Sequence, residues 1–270
     1  MESKRADKLY EMSKLIRQKM VGVTDFCKGK IHWGSSLSCV EILNILYDRY
    51  IDENTELIVS KGHAALALYT VMNIHGKLSD ECFSHFQENG GIYPEEITLN
   101  EQMRIPCSTG SLGLGLPYVV GMALAMKREN TGRRVFVVSG DGECDEGSVW
   151  ESVMFANQMK IDNVVLIIDY NHLQADGRTD DIIDFGVFEE KFKVFGWAAK
   201  TVNGHDYAEL VDAIDWICNE GKPGVIIAET IKGKGISFME NDFTWHDRVL
   251  DRDWLERAKE EVDEWNESNQ

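Results

Sequence analysis

The chain has 270 residues, 43% of them hydrophobic and 27% charged, enough to bury a sizeable core as an ordinary soluble domain. Its 46 acidic residues against 28 basic ones give a net charge of −18. That balance argues against a nucleic-acid partner, since phosphate neutralisation by Lys and Arg supplies most of such affinity, and reads as solubility. The six cysteines (27, 39, 82, 107, 144 and 218) form no CxxC pair and no metal-ligand spacing, so they read as buried or incidental thiols of a reducing compartment. Residues 1–20 are charged and amphipathic and lack the apolar core of a signal peptide. No apolar run approaches the roughly 18 residues of a membrane span. The expectation is a cytoplasmic protein without a membrane partner.

Apolar positions at Leu9, Met12, Ile16 and Met20 predict a helix over 3–20. A glycine-bearing loop, 28–36, precedes a helix predicted over 38–50, with Ser38 as its cap and Glu41 completing a capping box. Ile58-Val59 reads as a short strand, 64–75 as a helix, and 79–87 as a short helix opened by Ser79. After an irregular stretch, 88–107, the glycine-rich turn 108-STGSLGLGL-116 leads into a helix at 117–129. The runs 134-RVFVVSG-140 and 163-NVVLIID-169 are continuously apolar, as strands buried on both faces of a parallel sheet must be. Between them a helix is predicted over 146–160, and after them a polar loop over 170–187. A short helix 188–195, strand 197–202, helix 206–220, strand 224–230 and a charged helix 251–266 follow. Alternating strands and helices predict an α/β fold, a parallel sheet with helices on both faces. With no linker, no repeat and only four prolines, 1–270 reads as a single domain.

The strongest chemical signal is 140-GDGECDEG-147 with Asn171 in 169-DYNHLQADG-177. Each follows a buried strand, and the carboxyl ends of parallel strands share one edge, where ligands bind. Asp141 and Asn171 offer a hard divalent cation a carboxylate and an amide oxygen. Gly140 and Gly142 let a diphosphate approach the backbone, and the helix start after Glu146 aims amides at negative charge. Alone, a Gly-Asp-Gly turn after a strand is commonplace; the Asn at this spacing makes it specific.

These residues match the thiamine diphosphate fingerprint. The wider stretches 140-GDGECDEGSVWE-151, 166-LIIDYNHLQADG-177, 58-IVSKGHAALALY-69, 108-STGSLGLGLPYVVGMALA-125 and 229-ETIKGKGISFMEN-241 closely resemble the transketolase family, from about Lys14 to Asp247. The resemblance implies the thiamine diphosphate-binding fold, in its diphosphate-binding domain, with thiamine diphosphate and Mg²⁺ (or Ca²⁺ or Mn²⁺) as cofactors. It implies Asp141, Asn171 and the Leu173 carbonyl as metal ligands. His63 and His246 would line the diphosphate and the reacting carbon, and His32 would meet substrate hydroxyls. Imidazoles suit such proton traffic near neutral pH. Gly110, Ser111 and Leu112 would hold the aminopyrimidine and diphosphate, and Glu146 would be buried at a contact between chains. The run Lys232-Gly233-Lys234-Gly235 would sit beside the diphosphate, Cys107 would be packing, and His75, His85, His172 and His205 would be surface or structural.

A full transketolase is more than twice this length, and the glutamate that switches the cofactor on lies in its following domain. The expectation is therefore a subunit that is inactive alone and works with a second chain carrying the pyrimidine-binding and C-terminal domains, two copies of each. Together they would transfer a two-carbon ketol unit from a ketose to an aldose, as sugars or sugar phosphates. Two departures qualify the substrate: Tyr93, in 91-GIYPEE-96, stands where the family has a histidine, and Asp247 stands where glycine is usual. The alternatives are the α chain of a 2-oxoacid dehydrogenase, against which the Ser-Lys-Gly-His motif argues, a relative of the 1-deoxyxylulose phosphate synthases, and a non-catalytic scaffold.

Overall fold

Five parallel strands form one sheet in the order β1-β2-β3-β5-β4 in the computed structural model, which describes residues 3–265. The strands are β1 (Thr55–Val59), β2 (Arg134–Gly140), β3 (Val164–Tyr170), β4 (Ala198–Asn203) and β5 (Gly224–Glu229). The central strands alternate two apolar faces. Phe136, Val138, Val165 and Ile167 enter one core, while Val135, Val137, Val164 and Leu166 enter the other. The first core is covered by α1 (Ser3–Gly22), α2 (Trp33–Ser38), α3 (Val40–Ile45) and α4 (Ala65–Ile74), joined from later in the chain by α10 (Tyr207–Cys218). After the short helix α5 (Glu81–Ser84), α6 (Gly115–Arg128) and α7 (Gly147–Gln158) cover the second core. The remaining helices are α8 (Thr179–Ile182), α9 (Phe188–Val194) and α11 (Arg252–Glu264). Residue 266, the predicted end of the last helix, lies outside the described residues. No described helix is long and apolar enough to cross a membrane.

Three local expectations are corrected. The helix predicted over 38–50 begins at Trp33, inside the expected loop, breaks at Cys39, and ends in a wider turn over Leu46–Tyr50. Ser38 therefore caps nothing: its hydroxyl donates to Asp169 Oδ2 at 2.6 Å. Glu41 builds no capping box. It is buried between α1 and the turn after β4, accepting from Arg17 Nη1 at 2.6 Å and Nη2 at 3.1 Å and from His205 Nδ1 at 2.8 Å. Burial alone would lift this carboxyl, but the Arg17 guanidinium and His205 hold it far below the usual carboxylate range. His205 Nε2 accepts from the Ile231 backbone N–H at 2.9 Å, so the imidazole ties the chain leaving β5 to α3. Finally, the loop predicted over 170–187 contains α8, whose first residue, Thr179, matters below.

Candidate functional site

The carboxyl ends of four strands deliver polar segments to one edge of the sheet: 60–63 after β1, 141–143 after β2, 171–173 after β3 and 230–232 after β5. Together with His32, Glu96, Gly110, Leu112 and His246 they line a cavity of about 350 Å³. Its foundation is Asp169, the penultimate residue of β3 and fully buried. The carboxylate accepts hydrogen bonds from the Lys61 ammonium and from the hydroxyls of Ser38 and Thr230. Burial would raise its pKa, but Lys61 and these donors keep it below the usual carboxylate range. A second carboxylate, Glu143, accepts from Ser60 Oγ and from the backbone N–H groups of Gly140 and Gly113, both at 3.2 Å. It thereby joins the glycine-rich turn to the end of β2.

Asp141 lies above this base, 3% exposed. Its Oδ2 accepts from Thr179 Oγ1 at 2.8 Å and its Oδ1 from its neighbour Gly142 N at 2.9 Å. Burial pushes its pKa up to about 6, and Asp169 adds to the rise against the Thr179 hydrogen bond. A buried carboxyl lifted in this way is one that a divalent cation would return to its charged form. The Asn171 amide oxygen accepts from Leu173 N at 3.2 Å, and the Leu173 carbonyl accepts from Lys232 Nζ at 2.9 Å. Lys232 also reaches His246 Nδ1 at 3.2 Å, and burial with the nearby Lys61 charge lowers its pKa to about 8. Nothing lies within 4 Å of a Cβ built on Gly140, so a ligand has open space over that backbone. Gly62 and Gly110 pack against each other instead: a Cβ on Gly62 would lie 2.6 Å from Gly110 N, and Gly110 has φ +124. Oxygen donors at Asp141, Asn171 and Leu173, two ammoniums and open glycine backbone fit a diphosphate with its divalent cation.

Three imidazoles stand together at the cavity, with ring centroids 5.3 Å (His32–His63), 5.3 Å (His32–His246) and 5.2 Å (His63–His246) apart. Burial and the Lys61 charge pull His63 well below the usual imidazole value, and burial with Lys232 pulls His246 to about 3. Both are neutral at pH 7. His32 goes the other way: burial lowers it, but Glu95, accepting at 2.8 Å from Nδ1, and the charges of Asp247 and Glu96 raise it overall.

Of the residues singled out in the sequence, His32, His63, His246, Gly110, Leu112, Gly140, Asp141, Gly142, Asn171 and Leu173 all meet at this cavity. Ser111 does not line it, and Glu146, expected at a contact between chains, is exposed in this single chain just before α7. Lys232 joins the cavity. His75, His85 and His172 lie elsewhere, on Asn44, Glu88 and the Tyr170 ring respectively. Sequence reasoning missed Lys61, Glu95, Glu96, Glu143, Asp169 and Thr179. Lys61 could have been found inside the Ser-Lys-Gly-His motif, and Asp169 as a charge at the end of an apolar strand.

Tyr93 is also corrected. It is 6% exposed and meets the Tyr69 ring edge-on at 5.7 Å, inside the core, and it does not line the cavity. Glu95, two residues on, takes the place beside His32. Tyr93→Phe is accordingly expected to leave donor preference unchanged and stability within about 1 kcal/mol. Donor kinetics of the assembled enzyme and denaturant unfolding check this, and a changed preference would return the phenol to the substrate.

The sequence profile of the family described as "Transketolase, thiamine diphosphate binding domain" matches residues 23–269. The chain belongs to the transketolase family. It is 36% identical over 265 residues to a subunit of the apulose-4-phosphate transketolase of Actinobacillus succinogenes, covering 95% of this chain and 96% of that one. It is 35% identical over 242 residues to a subunit of the 6-deoxy-6-sulfo-D-fructose transketolase of a Clostridium species, covering 86% and 88%. Human transketolase is 32% identical over 244 residues, covering 87% of this chain but 39% of its own. The transketolase structure from Campylobacter jejuni superposes with a TM-score of 0.84 at 25% identity, covering 97% of this chain and 43% of that one. The chain thus spans less than half of these two long transketolases and most of the length of the two shorter relatives, each of them one subunit of its enzyme. As a transketolase-type subunit it has the fold, the parallel sheet with helices on both faces, that its sequence predicts.

Proposed function

We propose that this chain is the diphosphate-binding subunit of a two-chain transketolase, which moves a two-carbon ketol unit from a ketose to an aldose. What carries the reading is the cluster of three imidazoles within 5.3 Å of one another beside Asp141 and Asn171. The match along 96% of a relative that is itself one subunit of a transketolase supports it. The partner would be a chain with the pyrimidine-binding and C-terminal domains, two copies of each in a cytoplasmic assembly. Exposed Glu146 would be covered there. The whole of 1–270 is taken as one domain.

Asp141, Asn171 and the Leu173 carbonyl would hold Mg²⁺, with Lys61 and Lys232 facing the diphosphate. Thiamine diphosphate, when bound, supplies a carbon centre that stores the electrons released as the donor's carbon–carbon bond breaks. The chain's own residues do the rest. Neutral His63 can accept a proton from a hydroxyl or hold a hydrogen bond to a carbonyl, while His246, its Nδ1 facing the Lys232 ammonium, presents its Nε2–H as a donor. His32, its Nδ1 hydrogen bonded to Glu95, keeps Nε2 for the substrate and is held toward the protonated form, so it suits donation. Gly110 and Leu112 line the same cavity.

The test is reconstitution with the partner chain, thiamine diphosphate and Mg²⁺, assayed with ketose donors and aldose acceptors. Transfer by the mixture, and by neither chain alone, is expected. Turnover by this chain alone would refute partner dependence. Oxidation of a 2-oxo acid by an artificial electron acceptor in place of ketol transfer would move the chain to the 2-oxoacid dehydrogenases. Failure of both, with no cofactor bound, would leave a scaffold.

A further inference from the structure

The run 231–234 carries Lys232 to the cavity, and three hydrogen bonds to its backbone fix where it lies. The Ile231 N–H donates to His205 Nε2 at 2.9 Å, the Gly233 N–H donates to the Gly34 carbonyl at 3.0 Å, and the Lys234 carbonyl accepts from Arg17 Nε at 2.9 Å. Two of these three partners are side chains locked to one carboxylate, since Glu41 accepts from both Nη atoms of Arg17 and from His205 Nδ1. Arg17, Glu41 and His205 are all buried, and none of them lines the cavity. The arrangement fixes the roles on the imidazole: Nδ1 donates to Glu41, so Nε2 keeps the lone pair that the Ile231 N–H needs. On the cavity side, a Cβ on Gly34 would lie 2.9 Å from Lys232 Cγ, so the stem of the lysine runs closely over that backbone. Its ammonium ends on the Leu173 carbonyl and His246 Nδ1.

Resting on the transketolase reading, which sets Lys232 against the diphosphate, we propose that Arg17, Glu41 and His205 are positioning residues, a buried relay that holds Lys232 where its ammonium meets the cofactor's diphosphate. The two ammoniums of the cavity are held differently, and that difference is why a relay is needed. Lys61 is anchored by its own ion pair with Asp169. Lys232 rests on a carbonyl and an imidazole, and the Lys61 charge repels it against the pull of Asp141 and Asp169. A flexible four-carbon stem gives such an ammonium room to retreat unless the backbone that carries it is fixed. His205 and Arg17 grip that backbone on either side of Lys232, and Glu41 holds both of them in place. A displacement of about 1 Å at residue 232 is enough to spoil a charge-assisted hydrogen bond to a phosphate oxygen.

Two substitutions separate the contacts of His205. Asn places an amide N–H near the Nδ1 position, which keeps Glu41 and loses Ile231; Gln places an amide oxygen near the Nε2 position, which keeps Ile231 and loses Glu41. Calorimetric titration of the assembled enzyme with thiamine diphosphate in excess Mg²⁺ reads the affinity, with Lys232→Met as reference. Lys232→Met and His205→Asn are each expected to weaken binding by about tenfold or more, and His205→Gln to stay within about threefold of the wild type. On top of Lys232→Met, His205→Asn is expected to add no more than about threefold, because it acts through an ammonium already removed. A merely structural role would give the same loss in both backgrounds, or the same loss for Asn and Gln, and either result overturns the proposal, as does undiminished binding in Lys232→Met. If His205→Asn fails to fold, His205→Gln carries the test: a Gln variant that unfolds at lower urea yet binds like the wild type supports the relay, and one that folds but loses about tenfold in affinity overturns it. An assembled wild type that binds no thiamine diphosphate removes the transketolase reading, and the relay with it; wild-type binding that His205→Asn leaves unchanged removes the relay alone.

Discussion

Asp141→Asn is expected to weaken binding of thiamine diphosphate with Mg²⁺ by at least about 100-fold, and to make the free chain more stable in chelator. The first effect follows from the donor set. A divalent cation held by one carboxylate, one amide oxygen and one carbonyl loses its only charged protein ligand, and changes merely beside a metal site already reach about 10–100-fold. The second follows from burial, which raises the Asp141 carboxyl to about 6. A folded pKa above the unfolded value of about 3.9 means that the folded chain binds the extra proton between about pH 4 and 6. Stability therefore falls as pH rises through that window, and at pH 7 the charged carboxylate costs on the order of 2–3 kcal/mol. Asn keeps the Thr179 hydroxyl as a partner and carries no charge, so it escapes that cost. Calorimetric titration of the assembled enzyme reads the first effect and denaturant unfolding of the free chain with EDTA reads the second. Undiminished binding would remove Asp141 from the metal, and a less stable variant would mean that burial is not what lifts its pKa.

What can be read in the sequence divides by range. β2 and β3 are continuous apolar runs, and only a strand buried on both faces needs one. β1 shows in the sequence only at Ile58-Val59 because it is an edge strand whose first two residues, Thr55 and Glu56, are half-exposed. Ser38 and Glu41 imitate a capping box locally. Their true partners are Asp169, Arg17 and His205, which lie 131, 24 and 164 residues away, and no local pattern encodes those contacts. The metal-side residues are legible because Asp141 and Asn171 leave adjacent parallel strands. Thr179 is not: it reaches Asp141 only because a short helix forms in what reads as a polar loop. Tyr93 misleads for a related reason. The motif places it beside the site in sequence, but the aromatic pocket around Tyr69 takes its ring, and Glu95, two residues on, turns to His32.

The largest stability effect should come from Asp169→Asn. The change is nearly isosteric, but it keeps an oxygen for only one of the Ser38 and Thr230 hydroxyls, which donate to different oxygens of the carboxylate, and it strands the Lys61 ammonium, 1% exposed, without its counter-ion. Breaking one side of a buried pair typically costs about 3–5 kcal/mol. The chain can evade part of that only by discharging Lys61, and taking the proton from a lysine of ordinary pKa at pH 7 itself costs about 4–5 kcal/mol. The two routes agree in size. The sign of the pH dependence follows: in the variant the folded Lys61 pKa is depressed, so the deficit is full at low and neutral pH and shrinks as pH rises toward the unfolded value near about 10.4. In the wild type Asp169 outweighs the burial that would lower Lys61 and raises its pKa overall, so stability from the pair is present below the unfolded value and fades only as pH rises through the folded one. Lys61→Met on top of Asp169→Asn is expected to recover a large part of the lost stability, because it removes the stranded charge. It should not recover cofactor binding, since Lys61 lines the cavity. Urea unfolding from about pH 6 to 10, a range that spans the lysine's titration, with calorimetric titration of the assembled variants, separates the two roles. Recovery of both stability and binding in the double variant would make Lys61 a packing residue, and recovery of neither would mean that Asp169 holds the carboxyl edge of the sheet by its geometry, through Ser38 and Thr230, and not by its charge.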